Sequence, residues 1–204
     1  MKTVLEFDLE KTTQALNYLA QKEGGKIDKM KAIKLIWLAD RYHLRRYGRP
    51  ISNDNYLAME YGPVGSSAKD IADNNDFLSS EEKKYSSGYI QPDEKRHFVE
   101  SVNEVDSSVF SDSDLEALNL VYEKYGKDDA LELADMSHYF PEWDKFKKEI
   151  LTKSISRGNM SYVDFFKNPG QTIPYENIFD EKEKDLESSQ KIFEESYLMA
   201  NFWK

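Results

Sequence analysis

The segment from Lys26 to Tyr47, KIDKMKAIKLIWLADRYHLRRY, constrains this chain most, because it patterns as one helix that is apolar round most of its circumference. At about 100° per residue, Met30, Ile33, Ile36, Trp37, Leu44 and Tyr47 fill one broad arc. Ala32, Leu35, Ala39 and Tyr42 carry that arc round the far side. A helix with so little polar surface must be covered by other elements on several sides. The pattern predicts a central buried helix over about 28–47, opened by Asp28 and closed by Gly48. The remaining strip is narrow and basic: Lys31, Lys34, Arg41 and Arg45, interrupted by Leu38. Such a strip reads as a solvated helix face, as a contact for an acidic protein partner, or as a nucleic-acid contact.

Helices also pattern on either side. Asp8 is placed to cap a helix through Glu23 that Gly24-Gly25 ends, and Ser111-Asp112-Ser113-Asp114 caps another that stops at Gly126. Asp128-Asp129 opens the next, which is broken at Phe140-Pro141, and Trp143, Phe146, Ile150 and Leu151 suggest one more. Between them, Tyr56–Tyr61 is a short strand or helical turn, Gly62-Pro63 is a break, and Ser66 or Ser67 can cap a short helix. Tyr89–Gln91 and His97–Val102 flank the turn-like tetrad Pro92–Lys95, which reads as a β-hairpin. Residues 152–179 are irregular, with aromatics among Gly, Pro, Asn and Ser, and suit a segment wrapped over the core. Residues 180–203 form an acidic amphipathic helix with Leu186, Phe193, Tyr197 and Ala200 on one face. The fold class is therefore mainly α with a small antiparallel β element.

Composition narrows the chemistry. The 204 residues include 38 Asp and Glu against 28 Lys and Arg, for a net charge of −10, which argues against a protein that coats nucleic-acid phosphates. There is no Cys, so thiolate metal sites, disulfides and Cys nucleophiles are excluded. His43, His97 and His138 form no metal-binding spacing. Neither a phosphate-cradling loop motif nor a hydrolase nucleophile elbow is present, so no cofactor and no metal are expected. Gly62-Pro63-Val64-Gly65-Ser66-Ser67 is either an anion-binding helix start or a turn followed by an N-cap. Asp40 and His43 project from largely apolar arcs of the central helix, either as an acid-base pair or as a structural network bonded to the loop near 48–55. No run is long and apolar enough for a membrane span, and the first residues lack a signal-peptide pattern, which leads us to expect a soluble cytoplasmic protein.

Three stretches carry a family resemblance: Lys34-Leu35-Ile36-Trp37-Leu38-Ala39-Asp40-Arg41-Tyr42-His43-Leu44, then Tyr47-Gly48-Arg49-Pro50-Ile51, then Asp54 with Ala58-Met59-Glu60-Tyr61-Gly62-Pro63-Val64. In this order and spacing they resemble the SocA-like Panacea antitoxin domain. Leu133–His138 and Pro141-Glu142-Trp143 look like its later positions. Gly65 departs from the family pattern, and the tail beyond about Ser154 has no counterpart in it. The resemblance implies a mainly helical domain over residues 1–150, and the residue pattern of 151–204 leads us to expect a wrap and a final helix packed on the same domain. It also implies a non-enzymatic antitoxin of bacterial or phage toxin-antitoxin systems, with a role in phage defence. Such a protein neutralises a cognate protein toxin by contact, and some members act as adaptors to a protease. Asp40, His43, Gly48, Pro50, Gly62 and Pro63 are expected to be structural. Lys31, Lys34, Arg41, Arg45, Tyr197, Phe202 and Trp203 are the expected partner contacts.

Overall fold

The computed structural model describes residues 6–170 and 172–202. Helix α1, Leu9–Lys22, is capped by Asp8, whose carboxylate accepts from the Lys11 N–H at 3.0 Å. It ends at Gly24 and Gly25, both with positive φ. Lys26–Asp28 is not the first turn of the next helix but a strand, β1. Asp28 is the N-cap, so the residues before it are free to extend and pair. The central helix α2 is Lys29–Tyr47. Gly48 closes it at φ +71°, and a Cβ there would fall 2.6 Å from the Ser189 carbonyl oxygen and 2.7 Å from Ile192 Cβ. Only glycine suits both the backbone and the crossing.

Strand β2, Tyr56–Met59, pairs antiparallel with β3, Gly62–Gly65, so the predicted Gly62-Pro63 break is the start of a strand. Helix α3, Ser66–Ala72, has Gly65 as its N-cap residue. Neither Ser66 nor Ser67 caps it: the Asp54 carboxylate accepts from the N–H groups of Ser67 and Ala68, at 2.9 and 2.8 Å. A Cβ on Gly65 would lie 2.5 Å from that carboxylate, which explains the glycine after Val64. The anion at this helix start is thus the chain's own. A further helix, α4 (Ser80–Ser87), opens with a capping box between Ser79 and Glu82, a local Ser-x-x-Glu signature.

The predicted hairpin is β4, Ile90–Pro92, with β5, Phe98–Ser101, and β1 joins β5 to give the order β1-β5-β4. Val99 points inward opposite Ile27, while Phe98 and Glu100 face outward. Then follow α5 (Asp112–Tyr125), α6 (Ala130–Ser137), and two short helices, α7 (Pro141–Asp144) and α8 (Lys147–Leu151), in place of the single one expected. Within the irregular stretch, β6 (Gly158–Asn159) adds to β2, giving a second antiparallel sheet ordered β3-β2-β6, and α9 is Tyr162–Phe165. Helix α10 spans Glu183–Phe202. The fold is mainly α with small antiparallel sheets.

Helix α2 sits in the middle, covered by α1, α5, α6, α10 and β3. Trp37 is fully buried on it, edge-on to Phe140 with ring centroids 5.3 Å apart. Phe165, Phe166, Phe179 and Phe193 from the later part of the chain belong to the same apolar cluster as Leu16, Leu35 and Leu118.

Candidate functional site

The basic strip is not a surface. Lys31, Lys34, Arg41 and Arg45 are between 0 and 9% exposed, so the expectation of an open docking strip is corrected. Each cation has an internal task. Lys31 Nζ donates to Glu23 and to the Gly126 carbonyl, both at 2.7 Å, holding the end of α5 against the start of α2. Arg41 Nη1 reaches Glu142 at 2.5 Å, its Nη2 donates to the Lys167 carbonyl at 2.8 Å, and the guanidinium lies 4.6 Å from the centre of the Phe140 ring. Burial of Glu142 pushes its carboxyl up, against the pull of Arg41.

Arg45 makes five hydrogen bonds, to the carbonyls of Phe165, Lys167 and Phe179 and to Asn168 Oδ1. A planar fork of fixed N–H directions can hold that many acceptors at once. Burial lowers its pKa to about 9. Lys34 Nζ donates to the Pro63 carbonyl at 3.4 Å, beside Gly62 and Ser137. Removal from water draws it down to about 7. Gly62, at φ +93°, is where the amine meets the backbone: a Cβ would come within 2.7 Å of Nζ.

Asp40 and His43 point to different partners. The Asp40 carboxylate accepts from the N–H groups of Ile51 and Ser52 at 2.7 and 3.0 Å, from the Ser52 hydroxyl, and from the Tyr56 hydroxyl at 2.7 Å. Burial raises its pKa to about 6 against the pull of these donors. His43 Nδ1 donates to the Arg49 carbonyl at 2.7 Å, and Nε2 accepts from Ser113 Oγ at 2.9 Å. Burial holds the ring neutral, with a pKa of about 4, so its 3.2 Å approach to Asp114 is not an ion pair. Lys11 and Arg49 instead offset that carboxylate, at 2.8 and 3.0 Å. Both Asp40 and His43 are sealed, and together they fasten the buried turn through Pro50 that follows α2. This geometry removes the reading of Asp40 and His43 as an acid-base pair facing a cleft.

An open concave surface lies elsewhere. A groove of about 870 Å³ runs between residues 54–56, residues 159–163 with Phe165, and the Phe193–Leu198 turns of α10. Its floor is aromatic: Tyr162 meets Tyr56 edge-on at 6.0 Å and Phe193 at 5.8 Å, and Phe193 meets Tyr197 at 6.2 Å. Val163 and Leu198 stay 43% and 65% exposed on its lining. Of the residues expected to face a partner, Tyr197 lines this groove. Trp203 and the side chain of Phe202 lie outside the described residues. Helical periodicity puts Phe193 and Tyr197 on a common face, but the opposite wall comes from a segment without periodicity. Among the described residues, no group of three or more His, Asp or Glu is placed to hold a metal, and no helix is long and apolar enough to cross a membrane.

A family model for the Antitoxin SocA-like, Panacea domain matches residues 33–144, more than half of the chain. The chain belongs to the SocA-like Panacea antitoxin family. No curated protein and no solved structure matches it. The Panacea match begins inside α2 and ends with α7, so it contains Lys34, Arg41, Arg45, Asp40, His43 and Glu142. The acceptors of Arg45 and one of those of Arg41, at Phe165, Lys167, Asn168 and Phe179, lie beyond it. Residues 54–56 of the groove fall inside the Panacea match, and residues 159–165 and 193–198 fall beyond it.

Proposed function

We propose that the chain is the antitoxin of a toxin-antitoxin pair and neutralises a cognate protein toxin by direct contact, without catalysis. Membership of the SocA-like Panacea antitoxin family carries this reading. The spent chemistry of the central helix supports it: the Asp40 carboxylate, the His43 imidazole and the Arg41 and Arg45 guanidinium groups are committed to backbone and side-chain partners inside the fold. The accessible features are instead an apolar groove and an acidic surface, which suit docking to another protein. The test is co-expression with the product of the adjacent gene. Growth arrest by that product alone, relieved by this chain together with a stable co-purified complex, is the expected outcome. A neighbour that is harmless alone, or that stays toxic beside this chain, refutes the reading.

A further inference from the structure

We propose that the groove between α9 and α10 seats a cationic amphipathic helix of the partner, a proposal that builds on the antitoxin reading and names the chemistry of the contact. Three features converge on it. The first is shape: a concavity of about 870 Å³, floored by Tyr162, Phe193 and Tyr197, has room for several side chains of a docked helix. The second is uncovered apolar surface, since Leu198 and Val163 remain exposed on the lining and Met199 beside them is 66% exposed.

The third is charge. Glu194 is part of the lining, and α10 presents Glu195 to solvent beside it. Across 180–195 there are seven Asp and Glu against three Lys. Lys31, Lys34, Arg41 and Arg45 are inside the protein, and Glu181 of the acidic run pairs with Arg46 at 3.4 Å, which leaves Glu194 and Glu195 as the exposed carboxylates at the groove. A partner approaching this face meets negative potential, which steers a basic segment in and turns an acidic one away. A second copy of this chain, with a net charge of −10, is disfavoured on the same ground. The partner helix therefore places apolar residues at i, i+3 and i+4 spacing in the groove and Lys or Arg towards Glu194 and Glu195.

Two helical peptides sharing a Leu-rich face test this, one with Lys and one with Glu on its polar face, titrated into the methyl-labelled full chain. The Lys peptide is expected to shift the methyl signals of Val163, Leu198 and Met199 and to bind at least about tenfold tighter than the Glu peptide, with affinity falling as salt rises. Leu198→Asp, at an exposed position, is expected to abolish those shifts. Glu194→Lys with Glu195→Lys is expected to weaken the Lys peptide while leaving the fold's melting unchanged. Equal binding of both peptides, or shifts away from the groove, overturns the proposal. In the co-expression experiment, full rescue by Leu198→Asp overturns the groove and leaves the antitoxin reading standing. Failure of the unaltered chain to rescue overturns the antitoxin reading, and the peptide titration then decides the groove by itself.

Discussion

Lys34 is the residue whose energetics are most exposed to test. It is 1% accessible, and its amine has the Pro63 carbonyl at 3.4 Å. Its pKa is 10.5 when unperturbed and about 7 in the fold. Between those values the unfolded chain holds a proton that the folded chain has released, so stability rises with pH across that window. The full penalty applies below about pH 7. Lys34→Met keeps most of the stem's packing and removes the charge. It is expected to raise stability by roughly a few kcal/mol near neutral pH, since each tenfold loss of proton affinity on folding is worth about 1.4 kcal/mol. The gain should shrink as pH climbs towards 10. Urea denaturation of both proteins over a pH series reads this directly. Parallel curves, with the same difference at every pH, would show that the amine does not titrate in this way.

At the scale of elements, Arg41 and Arg45 make one helix hold several others. Arg41 joins α2 to α7 through Glu142, with both side chains at 0% exposure. Removing one partner strands a buried charge, so Arg41→Met and Glu142→Leu are each expected to cost about 3–5 kcal/mol. Made together they should recover most of that loss, because an apolar pair of similar volume needs no compensation. A double-mutant cycle from denaturation curves measures it, and additive losses would refute the coupling. The same pair shows where sequence reading works and where it stops. Asp8, Asp28, Ser111 and Asp129 announce helix starts because an N-cap bonds to amides two or three residues on, a range a local pattern can hold. Asp54 caps α3 from outside that range, so only the fold reveals it. A helical projection assigns Lys and Arg to solvent. The carbonyls that pull Arg45 inside belong to Phe165, Lys167 and Phe179, more than a hundred residues away. The groove is illegible in the sequence for the same reason, since its walls meet only after the irregular stretch has wrapped back over β2.

At the scale of the whole molecule, the family-matched segment and the tail share one apolar core. The Panacea match ends at residue 144, yet Phe165, Phe166, Phe179 and Phe193 are each 5% exposed or less and pack in the cluster built around α2. Burying four phenylalanines is worth about 6–12 kcal/mol at 1.5–3 kcal/mol each, which matches the whole net stability of an ordinary domain. The tail also supplies the carbonyls that satisfy Arg45 and one side of Arg41. Without them two buried guanidinium groups would lose most of their acceptors. A chain ended at Ser154 is therefore expected to lose cooperative unfolding and to expose apolar surface, read as a broadened urea transition and binding of a hydrophobic dye. A sharp transition of undiminished midpoint in the shortened chain would show instead that the first 154 residues close their core alone. The tail would then be an appended binding arm. The four buried rings and the five hydrogen bonds of Arg45 argue that it is part of the fold.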